Sequence, residues 1–330
     1  MSAKASSLGP ADLAHSTKAR SYLRAMPADD LVGLLHRRLH VGQDTIKKLH
    51  GRTTDIPKSV KGGNAHSCDH CITANATRLS HHAKPKHQPS HVGRLIHADI
   101  VGPFAPTRIG GFRYILVLVD DHSRYVSAYP IAKKSQAIGA IRKYVSSINR
   151  MVNEGRKDPV QVVGHLHSDN AGEFLSHEFT EFLDHNGIDH TTCPPHVHSL
   201  NGVAERSIRT LVENMRANLQ ASNMPLGFWN YAVNHSLDVI NRTSGPSGSS
   251  KTSYELMTGH KPDILSIWPL GCRAYAVKPR HEYKKTYIEP HAWKGINLGK
   301  IPSIPGGYHI WLPDEQKVVP TSEVYFDETY

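Results

Sequence analysis

Three acidic residues occupy positions from which carboxylates can act together. Asp169, in the segment LHSDNAGEF (166–174), ends an apolar, strand-like stretch. Asp99 lies inside the apolar segment RLIHADIVGPF. Glu205 lies early in an expected helix, and thirty-five residues separate it from Asp169. Three unpaired carboxylates that converge repel one another and raise each other's pKa unless cations neutralise them. The pattern therefore favours a site for divalent cations.

Magnesium, or Mn²⁺ in its place, suits such a site. It prefers oxygen ligands and retains several waters, so a few carboxylates and the phosphate oxygens of a substrate complete its shell. Two such ions about 3.5–4 Å apart activate an attacking oxygen and stabilise a leaving oxygen in an in-line phosphoryl displacement. This chemistry requires no nucleophile from the protein.

Each carboxylate also has a purely structural explanation. Asp169 can simply start a turn, and Asp99 can be an isolated hydrogen-bonded residue in a strand. Glu205 can pair with Arg209 one helical turn later, which contributes only ~0.2–0.5 kcal/mol on a solvated face. The choice depends on whether the surrounding elements bring the three residues together.

Hydrophobic periodicity predicts the element order β-β-β-α-β-α-β-α over residues 93–221, an α/β fold with a mixed sheet. In that order the first and fourth strands are neighbours, so Asp99 and Asp169 reach the same sheet edge and a helix above it can direct Glu205 there. Asp120 and Asp121 are interpreted as turn residues. The segments are RLIHADIVGPF, FRYILVLVD, YVSAYPI, the helix 135–152, VQVVGHLHSD, SHEFTEFLDHNG, IDHTTCP and NGVAERSIRTLVENMRANLQA.

Changes in composition predict the domain boundaries. A tail without periodicity is followed by two short helices and a C-x-x-C, then by a His/Lys/Pro linker, the α/β core, a Gly/Ser/Pro linker and a β-rich end. The predicted ranges are 1–28 for the disordered tail, 29–79 for the small helical N-terminal domain, 80–92 for the first linker, 93–244 for the core, 245–267 for the second linker and 268–330 for the small β-rich C-terminal domain.

Charge and cysteine usage narrow the class of partner and compartment. The 330 residues carry a net charge of +10, and residues 1–98 hold 15 Lys and Arg against 6 Asp and no Glu. This distribution suits a polyanionic partner, although the charge alone is explained equally well by a solvated basic surface. The four cysteines form no disulfide framework. We therefore expect a reducing cytosolic or nuclear setting, with Cys193 and Cys272 as inert packing residues. No apolar run is long enough to cross a bilayer, and we expect no membrane partner.

The motifs, taken in order, resemble the integrases of copia-type LTR retrotransposons across roughly residues 31–330. The resemblance is carried by HADIVGPF, VDDHSRYVSAYPI, HSDNAGEF, HNGIDHTTCPPHVHSLNGVAERSIRTL, FWNYAVNHSLDVINRT, GCRAYAV and GGYHIWLPDEQKVVPTSEVYFDE. It implies a ribonuclease-H-like core whose Asp-Asp-Glu triad is Asp99, Asp169 and Glu205. The implied reaction is insertion of element cDNA into target DNA, in which a 3′-hydroxyl attacks a target phosphodiester.

The resemblance also bears on partners. Arg206, Arg209 and Arg216 recur on the helix that carries Glu205, and Asn201 lies at its start, so we expect this helix to contact DNA phosphates. The alternative is a solvated basic face. A homo-oligomer on DNA, and a nuclear location with a cytoplasmic stage in virus-like particles, are further implied.

Integrases of this kind carry a His-His-Cys-Cys zinc module, and His36, His40, Cys68 and Cys71 match it. Histidines four residues apart share one face of a helix, and C-x-x-C brings two thiolates to one tetrahedral Zn²⁺. His66 and His70 remain alternative ligands. The H-x-x-x-H spacing and Ala171 in DNAGEF depart from the usual pattern.

Two other interpretations stay open. One is a catalytically decayed or domesticated copy that binds nucleic acid, and the other is a ribonuclease-H-like nuclease that hydrolyses strands without joining them.

Overall fold

A computed structural model of the chain describes residues 23–53, 56–64, 68–75, 91–153, 162–192, 202–279, 290–302 and 304–328. The chain forms two compact units. The central unit comprises Cys71–Arg216 and Pro225–Pro262, and the terminal unit comprises Met1–His70, Ala217–Met224 and Asp263–Tyr330. No helix in the described ranges is long and apolar enough to cross a membrane.

The helices and strands follow the predicted order. The helices are α1 Ala28–Leu39, α2 Gln43–Arg52, α3 Asp69–Asn75, α4 Ala137–Asn153, α5 His177–His185, α6 Gly202–Ala221, α7 Trp229–Thr243 and α8 Ser253–Thr258. The strands are β1 Leu95–Val101, β2 Tyr114–Asp120, β3 Val126–Ile131, β4 His165–Ser168, β5 Asp189–Thr192, β6 Arg273–Val277, β7 Ala292–Lys300, β8 Tyr308–Leu312, β9 Lys317–Thr321 and β10 Val324–Asp327.

The central unit contains a five-stranded mixed sheet with the order β3-β2-β1-β4-β5. Strand β2 runs antiparallel to β1 and β3, while β4 runs parallel to β1 and β5. The first and fourth strands are therefore neighbours, as predicted, and His97 lies opposite His167. The predicted mixed α/β class is confirmed.

One face of this sheet forms the main hydrophobic core. The amphipathic helix α4 buries Ile141 and Tyr144 against it, together with the even-numbered β1 residues Ile96 and Ala98. Alternate residues of a strand point to opposite faces. The odd-numbered residues of β1, which include Asp99, therefore lie on the face away from α4.

The exposed edge of β3 is covered by a side chain from α7. Asn241 is 4% exposed, accepts a hydrogen bond from the backbone N–H of Val126 at 2.8 Å and donates one to its carbonyl at 2.7 Å. Backbone groups at a sheet edge otherwise lack partners. The contact joins residues 115 positions apart in sequence and gives the two backbone groups of Val126 partners at this edge.

Replacement of Asn241 by alanine is expected to lower the free energy of unfolding by roughly 2–4 kcal/mol, because two buried backbone groups lose their partners. Chemical denaturation measures the change. Asn230→Ala is a matched control on the same helix, since Asn230 is similarly buried and its Oδ1 has no hydrogen-bond partner among the described residues. Equal losses in the two variants would contradict this role of Asn241.

The linker predicted over 245–267 contains an element that the sequence analysis missed. Helix α8 lies within it, the Thr252 hydroxyl caps it by accepting from the Glu255 N–H at 3.0 Å, and Met257 is buried in the main core. The T-x-x-E signal of a helix start was present in the sequence. The helix is only six residues long, so it gave no detectable periodicity.

The terminal unit contains a second five-stranded sheet with the order β10-β6-β7-β8-β9, and all its pairs are antiparallel. This confirms a β-rich C-terminal fold. Cys272 is 3% exposed in its core, and burial raises the pKa of the thiol well above its usual value. That environment agrees with the predicted packing role, whereas Cys193 lies outside the described residues.

Helix α1 is held on this β-rich part of the terminal unit by a buried ion pair. Arg38 is 6% exposed, its Nε donates to a carboxylate oxygen of Glu328 at 2.8 Å, and its guanidinium lies 5.2 Å from the ring centroid of Trp268. The N-terminal helices and the second sheet therefore pack as parts of one unit.

Candidate active site and zinc site

The structure places the two predicted aspartates at one edge of the central sheet. Asp99 is two residues from the end of β1, and Asp169 directly follows β4. Because these strands are parallel and adjacent, their carboxyl ends meet there. Continuing the register of His97 with His167 by two residues sets Asp99 opposite Asp169 on the same face.

Glu205 completes the set from the first turn of α6. Besides burial, the charges of Asp169 and Glu205 both raise the pKa of Asp99, so both carboxylates lie near that residue. The three carboxylates do not form a group whose oxygen atoms all lie within 4.8 Å of one another.

The electrostatics of Asp99 test whether a divalent cation fits. The pKa of its carboxyl is raised from 3.8 to about 6, mainly by burial and further by the charges of Asp169 and Glu205. The Ile100 N–H, 2.7 Å from Oδ1, and the charge of Lys134 lower it only in part. Oxygen donors with an excess of negative charge are the ligand set that Mg²⁺ and Mn²⁺ prefer, so the residues fit the predicted ion.

Lys134 is a site residue that the sequence analysis missed. It follows β3, whose end lies at the same sheet edge because β3 is antiparallel to β2. Its Nζ lies 3.2 Å from an oxygen of Glu173, in the loop that follows Asp169. The lysine therefore connects the end of β3 to the Asp169 loop and partly offsets the negative charge. A lysine three residues after a strand that ends at the same sheet edge as Asp99 was the available signal.

Two histidines lie on the same sheet face as Asp99, further from the sheet edge. The rings of His97 and His167 are 5.6 Å apart, and the Nε2 of His97 lies 3.1 Å from a carboxylate oxygen of Asp121. Burial lowers the pKa of His167, and the charge of His97 lowers it further. Although burial opposes it, the bonds from His97 and Arg124 hold the pKa of Asp121 below its usual value. Asp121 thus interacts with His97 and Arg124, in keeping with its assignment outside the triad.

The carboxylate of the neighbouring Asp120 stabilises the turn after β2 by hydrogen bonds. Its carboxylate accepts hydrogen bonds from the backbone N–H groups of Gly93 and Ser123, at 2.6 and 2.7 Å, and from the Ser123 hydroxyl at 2.6 Å. All its bonds are within the fold, as expected of a turn residue.

Asp99→Asn is expected to stabilise the protein in buffer without Mg²⁺ at pH 7 and to have no such effect near pH 4. The folded pKa is above the unfolded one, so ionising Asp99 costs folding free energy as the pH rises from 3.8 to about 6, and the cost persists above that range. A two-unit shift corresponds to about 3 kcal/mol, and we expect about 1–2 kcal/mol because the side chain is partly solvated.

Thermal unfolding of the two proteins at both pH values measures this effect. Asp184→Asn on α5 is the control, because Asp184 is exposed and its substitution removes the same charge. Equal melting temperatures of the Asp99→Asn variant and the wild type at pH 7 would contradict the electrostatic description of the triad.

The predicted DNA-contact residues differ in their surroundings. Arg206 and Arg209 are exposed on α6 beside Glu205. Arg216, two turns further along, donates to the backbone carbonyl of Ala74 at 2.7 Å. Asn201 lies outside the described residues. Contact with DNA phosphates stays a prediction for all four.

The predicted zinc ligands do come together. One donor atom from each of His36, His40, Cys68 and Cys71 lies within 4.8 Å of the others, and this is the one group of that kind in the described ranges. Two imidazoles and two thiols are a donor set typical of structural zinc sites. The residues therefore fit Zn²⁺.

Local structure orients these ligands. His36 lies in the last turn of α1, and His40 follows the helix with a left-handed φ of 49° and its N–H bonded to the His36 carbonyl. The Nδ1 of His36 is 2.9 Å from the Val41 carbonyl, which leaves Nε2 for a metal. Nδ1 of His40 lies 3.7 Å from the Sγ of Cys68. His70, an alternative ligand, has its ring 6.3 Å from that of His40 and is not in the group, and His66 lies outside the described residues.

Comparison with known families agrees with this geometry. Residues 89–198 match the integrase core domain, and residues 272–330 match the retroviral polymerase SH3-like domain. The family resemblance predicted from the sequence is thereby confirmed.

Similar proteins are retrotransposon polyproteins. The retrovirus-related Pol polyprotein from transposon TNT 1-94 of Nicotiana tabacum is 28% identical over 308 residues, which cover 93% of this chain and 22% of that protein. The corresponding polyprotein from transposon RE2 of Arabidopsis thaliana is 30% identical over 53% of this chain and 12% of its own length. The Ty1-ML2 Gag-Pol polyprotein of Saccharomyces cerevisiae is 27% identical over 87% of this chain and 16% of its own length. The chain spans about a fifth or less of these relatives.

Solved structures with a similar chain include retroviral integrases. A chain of the simian T-cell lymphotropic virus intasome in complex with PP2A regulatory subunit B56 gamma is 21% identical, with a TM-score of 0.44 over 89% of this chain and 98% of that chain. The HTLV-2 integrase catalytic core domain in complex with magnesium is 22% identical, with a TM-score of 0.39 over 52% of this chain and 99% of that chain.

Proposed function

We propose that this chain, which resembles the integrases of copia-type retrotransposons over almost its whole length, is a polynucleotidyl transferase that inserts element cDNA into target DNA. The observation that supports the proposal is the adjacency of the parallel strands that carry Asp99 and precede Asp169, with the charge of Glu205 near enough to raise the pKa of Asp99. Mg²⁺ or Mn²⁺ held by these carboxylates would supply Lewis-acid activation of the attacking and leaving oxygens.

The residues themselves perform the positioning. Asp99 and Asp169 offer oxygens from the ends of two hydrogen-bonded strands, so their spacing is set by the sheet. Glu205 approaches from α6, and Lys134 restrains the Asp169 loop through Glu173. No serine, cysteine or histidine is needed as a nucleophile, because the attacking group is the 3′-hydroxyl of the DNA.

Product analysis tests the reaction type. The purified chain is incubated with end-labelled duplexes that carry candidate element termini and with an unlabelled target duplex, in Mg²⁺ or Mn²⁺. Labelled strands longer than the donor are expected, because joining transfers the donor end to the target. Shortened strands alone would overturn transfer in favour of a ribonuclease-H-like nuclease. Salt-sensitive DNA binding without either product would favour a decayed or domesticated copy.

The partners follow from the same proposal. Both the donor, element cDNA, and the target are DNA. Zn²⁺ bound by His36, His40, Cys68 and Cys71 would stabilise the N-terminal module. A homo-oligomer assembles on the DNA ends. A nuclear location after a cytoplasmic stage in virus-like particles rests on the family resemblance alone.

A further inference from the structure

The loop between β1 and β2 leaves the central sheet at the edge where the triad lies. Strand β1 ends at Val101, two residues after Asp99, and β2 begins at Tyr114. At about 3.3 Å per residue, the start of this loop is roughly 10 Å from Asp99 along the strand. The loop therefore starts beside the site where DNA must lie if the proposed function holds.

The loop is tightly built. Thr107 is 5% exposed and closes its tip, with its N–H donating to the Phe112 carbonyl at 3.0 Å and its hydroxyl accepting from the Phe112 N–H at 2.9 Å. Gly110 and Gly111 make the turn with φ of 91° and 61°, a region that favours glycine. The tip is thus held in one conformation before any partner binds.

Hydrogen bonds connect the loop to Gly227 and to Trp229, the first residue of α7. The N–H of Arg108 donates to the Gly227 carbonyl at 2.8 Å, and the Nε1–H of Trp229 donates to the Ala105 carbonyl at 2.8 Å. The ring of Trp229 also lies 5.3 Å from that of Phe104. A surface ordered in advance loses little conformational entropy on binding.

The braced loop presents an unusual surface. Ile109 is 38% exposed and Leu226 is 70% exposed, and both are among the few large apolar side chains exposed in the described ranges. Arg108 directly precedes Ile109 in the sequence, Arg113 follows it four residues later, and both arginines are exposed. Neither residues 102–113 nor residues 225–228 contain an acidic residue. We call Arg108, Ile109, Arg113 and Leu226 the edge patch.

We propose that the edge patch is a DNA-contact surface that holds the target duplex beside the triad, an inference that rests on the proposed function. Its two guanidinium groups complement phosphates, and an apolar tip between arginines suits the groove of a deformable duplex. Arginine can read guanine in the major groove, but a guanidinium bound to phosphate reads no base, and the patch has no Asn, Gln, Asp or Glu for that purpose. Contacts of this kind carry little sequence information, which suits target DNA of any sequence more than element ends of one defined sequence.

Fluorescence anisotropy of the full zinc-loaded chain with unrelated duplexes of two sequences tests the inference without requiring catalysis. The double variant Arg108→Ala/Arg113→Ala is expected to bind both duplexes roughly tenfold or more weakly than the wild type. Its slope of log affinity against log salt is expected to fall by about 1–2, since each lost phosphate contact removes about 0.9. Ile109→Ser is expected to weaken binding without changing the slope.

Lys143→Ala/Arg150→Ala on α4 is the matched control, because it removes the same charge from two exposed residues. Equal affinity and slope of the edge-patch double variant and this control would overturn the inference. A loss confined to one duplex sequence would overturn the assignment to target DNA. Unchanged DNA binding together with a change of oligomeric state in Ile109→Ser would replace it by self-association.

The outcomes separate this inference from the proposed function. If the wild type joins strands while the double variant binds DNA like the control, the edge-patch inference fails and the function stands. If the wild type joins no strands but the double variant shows the expected loss, the DNA surface stands and the function fails.

Discussion

Asp169→Asn is expected to lower strand transfer by roughly 10³-fold or more while folding and DNA binding stay close to those of the wild type. The amide keeps the shape of the side chain, and the carbonyl oxygen can still accept the bond from the Ala171 N–H, which is 3.1 Å from Oδ1. The negative charge that a divalent cation requires is lost. Single-turnover joining measures the rate, and anisotropy measures the binding of DNA.

Asp189→Asn is the control for this prediction. Asp189 is exposed at the start of β5, opposite His165, and therefore at the other end of the sheet from the triad. The Asp189→Asn substitution removes the same charge from the same unit as Asp169→Asn. Joining activity retained by Asp169→Asn, or lost equally by Asp189→Asn, would contradict the assignment of the triad.

Cys68→Ser is expected to have the largest effect on stability. A serine hydroxyl is a poor zinc ligand compared with a thiolate, so the bound zinc should fall from one ion per chain to a small fraction of that. Since structural zinc contributes directly to folding, the free energy that maintains α1 and α2 falls by several kcal/mol. Metal analysis after dialysis gives the zinc content, and amide hydrogen exchange gives the local stability.

Hydrogen exchange should also reveal how far the loss extends. Arg38 on α1 bonds to Glu328 and lies over Trp268, so loosening α1 is expected to raise exchange in β10 as well as in residues 28–52. Cys272→Ser is the control for zinc content alone, because it removes a thiol from the terminal unit without removing a member of the ligand group, while Cys272 itself packs in the core that contains Phe326 of β10. Unchanged zinc in Cys68→Ser would disprove the ligand set, and unchanged exchange in β10 would disprove the coupling.

The sequence predicted the parts of the site that depend on residue type and local pattern. Asp169 at the end of an apolar strand, the amphipathic pattern of α4 and the His-His-Cys-Cys spacing all depend on short segments, and the structure contains these elements. The adjacency of β1 and β4 followed from the element order. These features concern either local periodicity or the topology that periodicity allows.

Features that depend on contacts distant in sequence were not predictable in this way. Asn241 covers the edge of β3 across 115 residues, and Lys134 meets Glu173 only because β3 ends at the edge where the Asp169 loop begins. Helix α8 was too short to give a periodic signal. The edge patch depends on Gly227 meeting Arg108, which no local pattern announces.

Joining of a labelled donor strand to target DNA by the wild-type chain, beside Glu205→Gln, tests the central claim most directly. Glu205 is exposed in the first turn of α6, so its replacement is not expected to disturb the fold. We expect joined products from the wild type in Mg²⁺ or Mn²⁺ and none above background from Glu205→Gln. Equal joining by both proteins would contradict a strand-transfer site built on Asp99, Asp169 and Glu205.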